Sequence, residues 1–66
     1  MNRILISTRL TRLRGKKTQK EVAEDIGVAQ STYAMYESGQ RIPSDEVKIK
    51  LAAYYKTTVQ DIFFAE

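Results

Sequence analysis

Thr18-Gln19-Lys20-Glu21-Val22-Ala23-Glu24-Asp25-Ile26-Gly27-Val28-Ala29-Gln30-Ser31-Thr32-Tyr33-Ala34-Met35-Tyr36-Glu37-Ser38-Gly39 is the stretch whose reading decides the fold. Thr18 and Glu21 have the spacing of a capping box: the threonine hydroxyl accepts from the Glu21 amide and the carboxylate reaches back to the Thr18 amide. A helix therefore starts there. Val22, Ala23 and Ile26 recur at helical spacing, and Gly27 ends the run because it adopts the left-handed conformation without a Cβ penalty. After a turn of about three residues a second helix begins at Gln30-Ser31-Thr32. Tyr33 and Tyr36 turn inward, which leaves Gln30, Ser31, Thr32, Ala34 and Met35 on or near its outer surface.

The same signals extend in both directions. Upstream, Ile6, Leu10 and Leu13 share helical spacing before a break at Gly15-Lys16-Lys17. Downstream, Pro43 bars the preceding helix from running on, and Ser44 caps a helix whose first residues, Asp45 and Glu46, favour the positive end of its dipole. Leu51, Ala52 and Tyr55 continue that helix. A last one follows Thr58, which stands three residues before Asp61 in a capping arrangement, with Val59, Ile62 and Phe63 at helical spacing. Strands would show alternation instead. The expectation is an all-α chain, a compact bundle of five short helices over roughly 7–14, 19–26, 30–38, 45–55 and 59–64. Residues 1–6 fit either an extension of the first helix or a short β-branched extended segment, and the extended form is the expectation. One domain is expected over 1–66.

A chain of 66 residues buries only about 60% of its unfolded surface. With no Cys and no His, neither a disulfide framework nor the common zinc patterns can be built, so no metal or cofactor is expected. Helix packing must supply the stability, helped by a partner subunit, and a homodimer fits that need. The longest apolar run, Ile4-Leu5-Ile6, is far short of the roughly 20 residues that span a bilayer, and no signal-peptide core follows Arg3. The chain reads as cytoplasmic.

The net charge of +3 is unevenly spread. Arg3, Arg9, Arg12, Arg14, Lys16, Lys17 and Lys20 fall in the first 20 residues without a carboxylate, whereas all eight carboxylates lie at Glu21 or later. A field of one sign draws a polyanion such as a phosphate backbone; a solvated basic face explains the charge equally well. The uncharged, hydrogen-bonding start of the third helix suits base-edge reading, since Gln pairs bidentately with adenine and apolar groups touch the thymine methyl. A polar solvated turn is the plainer account of those residues taken alone. An enzyme is the least expected class: without His or Cys, and with each carboxylate explained by caps, helix faces or pairing, no general acid and base remain.

From Ile6 to Phe63 the chain resembles the helix-turn-helix family of phage lambda-type and Cro-type repressors, also called the XRE family. Ile6 to Arg14 is similar to that family's first helix, Thr18 to Val28 to its second helix and turn, and Gln30 to Gly39 to its recognition helix and terminating glycine. Arg41-Ile42-Pro43-Ser44 resembles the following loop; Leu51-Ala52 and Val59 to Phe63 resemble the last two helices. The resemblance implies a lambda-repressor-like DNA-binding domain acting as a transcription regulator, most simply a repressor of a bacterial, phage or mobile-element promoter. It would read double-stranded DNA in the major groove at a near-palindromic operator, with no small-molecule ligand.

Residue roles follow as implications of the resemblance. Gln19 would contact a phosphate or support the first reading residue. Gln30, Ser31 and Thr32 would meet bases or backbone. Met35 would offer apolar contact to a thymine methyl or sugar. Arg41, Lys16 and Lys17 would approach phosphates. Arg14 and Glu37 match a family pair that forms a partly buried ion pair, and the four tyrosines are expected to pack. Apart from the resemblance, the small core and the apolar residues at the two ends of the sequence leave Ile4, Leu5 and Phe64 for a dimer interface. Three departures stand out: a shorter segment between Arg14 and Thr18, Ala29 where the family has a hydroxyl cap, and Lys56 where it often has Gly. An antitoxin-like or other protein-docking module is the alternative use of such a domain.

Overall fold

The computed structural model describes residues 2–65, and these form helices and turns without a strand. The helices are α1 (Arg3–Arg14), α2 (Gln19–Ile26), α3 (Gln30–Ser38), α4 (Asp45–Tyr54) and α5 (Gln60–Phe64). Ile6 and Leu10 of α1, Val22, Ala23 and Ile26 of α2, Tyr33 and Tyr36 of α3, Leu51 and Ala52 of α4 and Ile62 and Phe63 of α5 are all buried in one cluster. Every helix thus supplies at least two side chains to the core.

The extended segment expected over residues 1–6 is corrected: α1 begins at Arg3. Asn2 adopts extended backbone and its side-chain oxygen accepts from the amides of Ile4 at 3.0 Å and Leu5 at 3.1 Å. Two amides that lack an intrahelical partner are satisfied in this way. Ile6, one turn before Leu10, is then buried on the same face, and this burial outweighs the few tenths of a kcal/mol by which β-branched residues disfavour helix. Met1 lies outside the described residues. Leu13, expected with the apolar face, is exposed instead.

The α2–α3 turn follows local chemistry closely. The capping box at Thr18 is complete: the Thr18 hydroxyl accepts from the Glu21 amide at 3.0 Å and the Glu21 carboxylate from the Thr18 amide at 3.1 Å. Gly27 has φ 77° and ψ 34°, and the next amide, of Val28, donates to Ala23 at 3.0 Å. Gly39 ends α3 at φ 78°, where an added Cβ would sit 3.6 Å from the carbonyl oxygen of Arg3, so the start of α1 packs on the end of α3. Ala29 gives α3 no side-chain cap.

α4 stops at Tyr54, and Lys56 takes a left-handed φ of 55° where a glycine would be unstrained. The last element is a five-residue turn of the wide π type over 60–64 and not the ordinary helix expected over 59–64. Thr58 caps it through the Asp61 amide at 3.0 Å, and Ala65 donates to the Gln60 carbonyl at 2.7 Å. Its wider turn accompanies burial of two consecutive side chains, Ile62 and Phe63.

Candidate nucleic-acid interface

The candidate surface is organised around a carboxylate beneath it. Glu37, on the inner side of α3, is 8% exposed. Arg14 of α1 donates Nε–H to its Oε2 at 2.7 Å, Gln19 of α2 donates from Nε2 to Oε1 at 3.1 Å, and the Thr11 hydroxyl of α1 donates to Oε1 at 3.4 Å. The Ser7 hydroxyl donates to the Glu37 main-chain carbonyl. Three helices are therefore tied at one side chain. Arg14 also donates Nη1–H to the Lys17 carbonyl at 2.7 Å, which fastens the α1–α2 loop to the same point.

The protonation states support this arrangement. Burial pushes the Glu37 carboxyl up, but hydrogen bonds from Arg14, Tyr33 and Gln19 together hold it below its ordinary value. The hydrogen bond to Glu37 in turn raises Arg14, against a smaller opposing effect of burial. Behind the carboxylate, the Tyr33 and Tyr55 hydroxyls lie 2.7 Å apart. Burial, with the hydrogen bonds to Tyr55 and Glu37, pushes the Tyr33 phenol far up, so it stays protonated.

Above the hub, Gln30 and Ser31 are exposed, and Thr32, Ala34 and Met35 half-buried. Ser31, Ala34, Met35 and Ser38 fall at the i, i+3, i+4, i+7 spacing of one outward stripe, with Gln30 at its N-terminal end. Arg41 is exposed just past the end of α3, where its amide donates to the Met35 carbonyl at 3.3 Å. Lys16 is exposed in the α1–α2 loop. Lys17, also exposed, holds its Nζ 5.5 Å from the centre of the Tyr54 ring, whose hydroxyl donates to Asp25 at 2.7 Å. Gln19 is half-buried and its amide nitrogen is engaged by Glu37. The structure thus joins Arg14, Gln19 and Glu37 in one network and leaves Gln30, Ser31, Lys16 and Arg41 facing solvent.

Of the residues set aside for a partner subunit, Ile4 is 77% and Phe64 47% exposed, and Leu5 is half-buried. Sequence reasoning missed Ile49, 63% exposed on α4. It adjoins Lys48, a buried lysine whose Nζ lies 5.3 Å from the centre of the Phe64 ring and 3.5 Å from Asp45. Reading α4 as an amphipathic helix with a solvated face would have singled Ile49 out. It also missed Arg9, whose Nη1 donates to the Ile62 carbonyl at 3.1 Å and links α1 to α5; no local signal marks that contact. Among the described residues no helix is long and apolar enough to cross a membrane.

Comparison with known proteins places the chain in a common setting. Residues 9–62 match the family described as Helix-turn-helix. The HTH-type transcriptional regulator AnsR of Bacillus subtilis (strain 168) is 45% identical over 60 residues, 88% of this chain and 52% of the relative. The cryptic phage CTXphi transcriptional repressor RstR of Vibrio cholerae is 35% identical over 60 residues, 88% of this chain and 54% of the relative. An uncharacterized HTH-type transcriptional regulator of Archaeoglobus fulgidus is 34% identical over 58 residues, 85% of this chain and 82% of the relative. The chain spans about half the length of the first two of these. No solved structure gives a significant match.

Proposed function

Because the chain belongs to the XRE-type helix-turn-helix family, we propose that it is a sequence-specific double-stranded DNA-binding transcription regulator that lays the start of α3 in the major groove. The observation that carries this reading is the hub at Glu37. It ties α1 and α2 to the inner side of α3 and leaves Gln30 and Ser31 exposed and uncharged at the helix start. A rigidly mounted polar helix end of that kind is what base-edge recognition requires. The basic residues fit the backbone role: Lys16 just before α2 and Arg41 just after α3 flank the helix-turn-helix pair in sequence and are exposed, and Gln19 supports the hub by donating to Glu37.

The finer reading is a repressor, working in the cytoplasm as a homodimer on a near-palindromic operator, through binding and not catalysis. One α3 reads only a few base pairs, so specificity calls for a second copy about 34–36 Å away on the same face of the duplex. Phe64, Ile49 and Ile4 supply exposed apolar surface for such a contact. Footprinting on genomic DNA across a salt series tests the proposal. A dimer making about 6–10 phosphate contacts should lose about 10³–10⁵-fold in affinity between 50 and 200 mM salt. A flat salt response with no protected sequence would favour a protein-docking module.

A further inference from the structure

Resting on that reading of α3, we infer that the bases this chain reads are A·T pairs, adenine through Gln30 and thymine through its methyl group against Met35 and Ala34. In the major groove guanine presents two acceptors, which Arg or Lys fill; cytosine presents an amino donor, which a carboxylate accepts. Adenine presents an acceptor beside a donor, which a carboxamide matches, and thymine presents a methyl, which an apolar side chain matches. The helix Gln30–Ser38 contains no cation. Its one carboxylate, Glu37, is buried and engaged by Arg14, Gln19 and Thr11, so it cannot turn outward to cytosine without dismantling the hub. Both the guanine-type and the cytosine-type readers are therefore missing from the outward face. What remains is a carboxamide at the tip, the apolar pair Ala34 and Met35 along the stripe, and three hydroxyls. Of these, Ser38 is turned back onto the Met35 carbonyl at 3.1 Å, and Ser31 and the half-buried Thr32 accept several bases without choosing among them. Met35 is the specificity residue in this account, because its flexible thioether arm fits against a methyl without demanding one geometry.

Selection from a random duplex pool, followed by replacement of each selected thymine with deoxyuridine, tests the inference. The positions under α3 should emerge as A·T, and each methyl removed there should lower affinity about fourfold, the worth of one buried carbon. A Met35→Ala protein should bind the thymine and deoxyuridine duplexes almost equally. Should that variant fail to fold by circular dichroism, the deoxyuridine series on the wild-type protein decides the matter alone. Guanine or cytosine at the positions under α3, or thymines whose methyls can be removed without effect, would overturn the inference while leaving DNA binding intact. A protein that enriches no sequence and binds no duplex would overturn the DNA-binding reading and this inference with it.

Discussion

Glu37 is the one charged residue of α3, and three side-chain donors from two other helices converge on its carboxylate. Its folded-state acidity carries a stability consequence. Because its pKa is held below the ordinary value, the unfolded chain binds the proton more tightly, so the stabilisation is present above the ordinary carboxyl range and is lost as pH falls through the folded value. Replacing it by Gln leaves Arg14 without its counter-charge. With Arg14 only half-buried, the cost at pH 7 should be about 2–3 kcal/mol, below the range for a fully buried pair. Urea unfolding of Glu37→Gln and wild type from pH 7 down to pH 3 should show the two curves converging in acid; a constant gap would mean the carboxylate's charge contributes nothing. The pairing of Arg14 with Glu37 was visible in the sequence only through family resemblance, since 23 residues separate them. Thr11 and Ser7 were not visible at all, because periodicity sorts apolar from polar positions and does not say which hydroxyl finds a distant partner. The same limit hid the engagement of Gln19.

At the scale of the element, boundaries were legible where a side chain acts on its own backbone. Thr18, Gly27, Gly39 and Ser44 each sit at a helix end and each makes the local bond or left-handed turn its type implies. Asn2 is the same kind of signal at the start of α1, where its cap and the burial of Ile6 outweigh the β-branched residues that follow it. The π turn of α5 was not legible, because it depends on how two adjacent side chains reach a core assembled by other helices. α3 carries the opposite lesson. Its cap residue Ala29 already has extended backbone, φ −67° and ψ 147°, but no side-chain acceptor. Ala29→Ser should place a hydroxyl on the first-turn amides and stabilise the protein by about 1 kcal/mol. Chemical denaturation reads this directly, and an unchanged midpoint would show that those amides already have an equivalent partner.

For the whole molecule, the core is small and the exposed apolar residues lie outside it. Phe64 sits over the buried Lys48, and Ile49 stands next to that lysine on α4. With Phe64 in the two-fold contact proposed above, a single charged substitution there enters the interface twice. Phe64→Glu should then weaken self-association and operator binding together while the helical signal in circular dichroism is kept. Sedimentation of wild-type protein that stays monomeric at high concentration and on DNA would defeat the dimer. The central claim, that α3 reads base sequence, is tested most directly by comparing operator and scrambled duplexes with wild-type protein and with Gln30→Ala and Ser31→Ala variants. Both side chains are exposed and outside the core, so the fold should survive. The prediction is that Gln30→Ala loses about 1–3 kcal/mol on the operator, relaxes preference at one base pair per half-site, and keeps its affinity for scrambled DNA. Undiminished preference for the operator in both variants would contradict it.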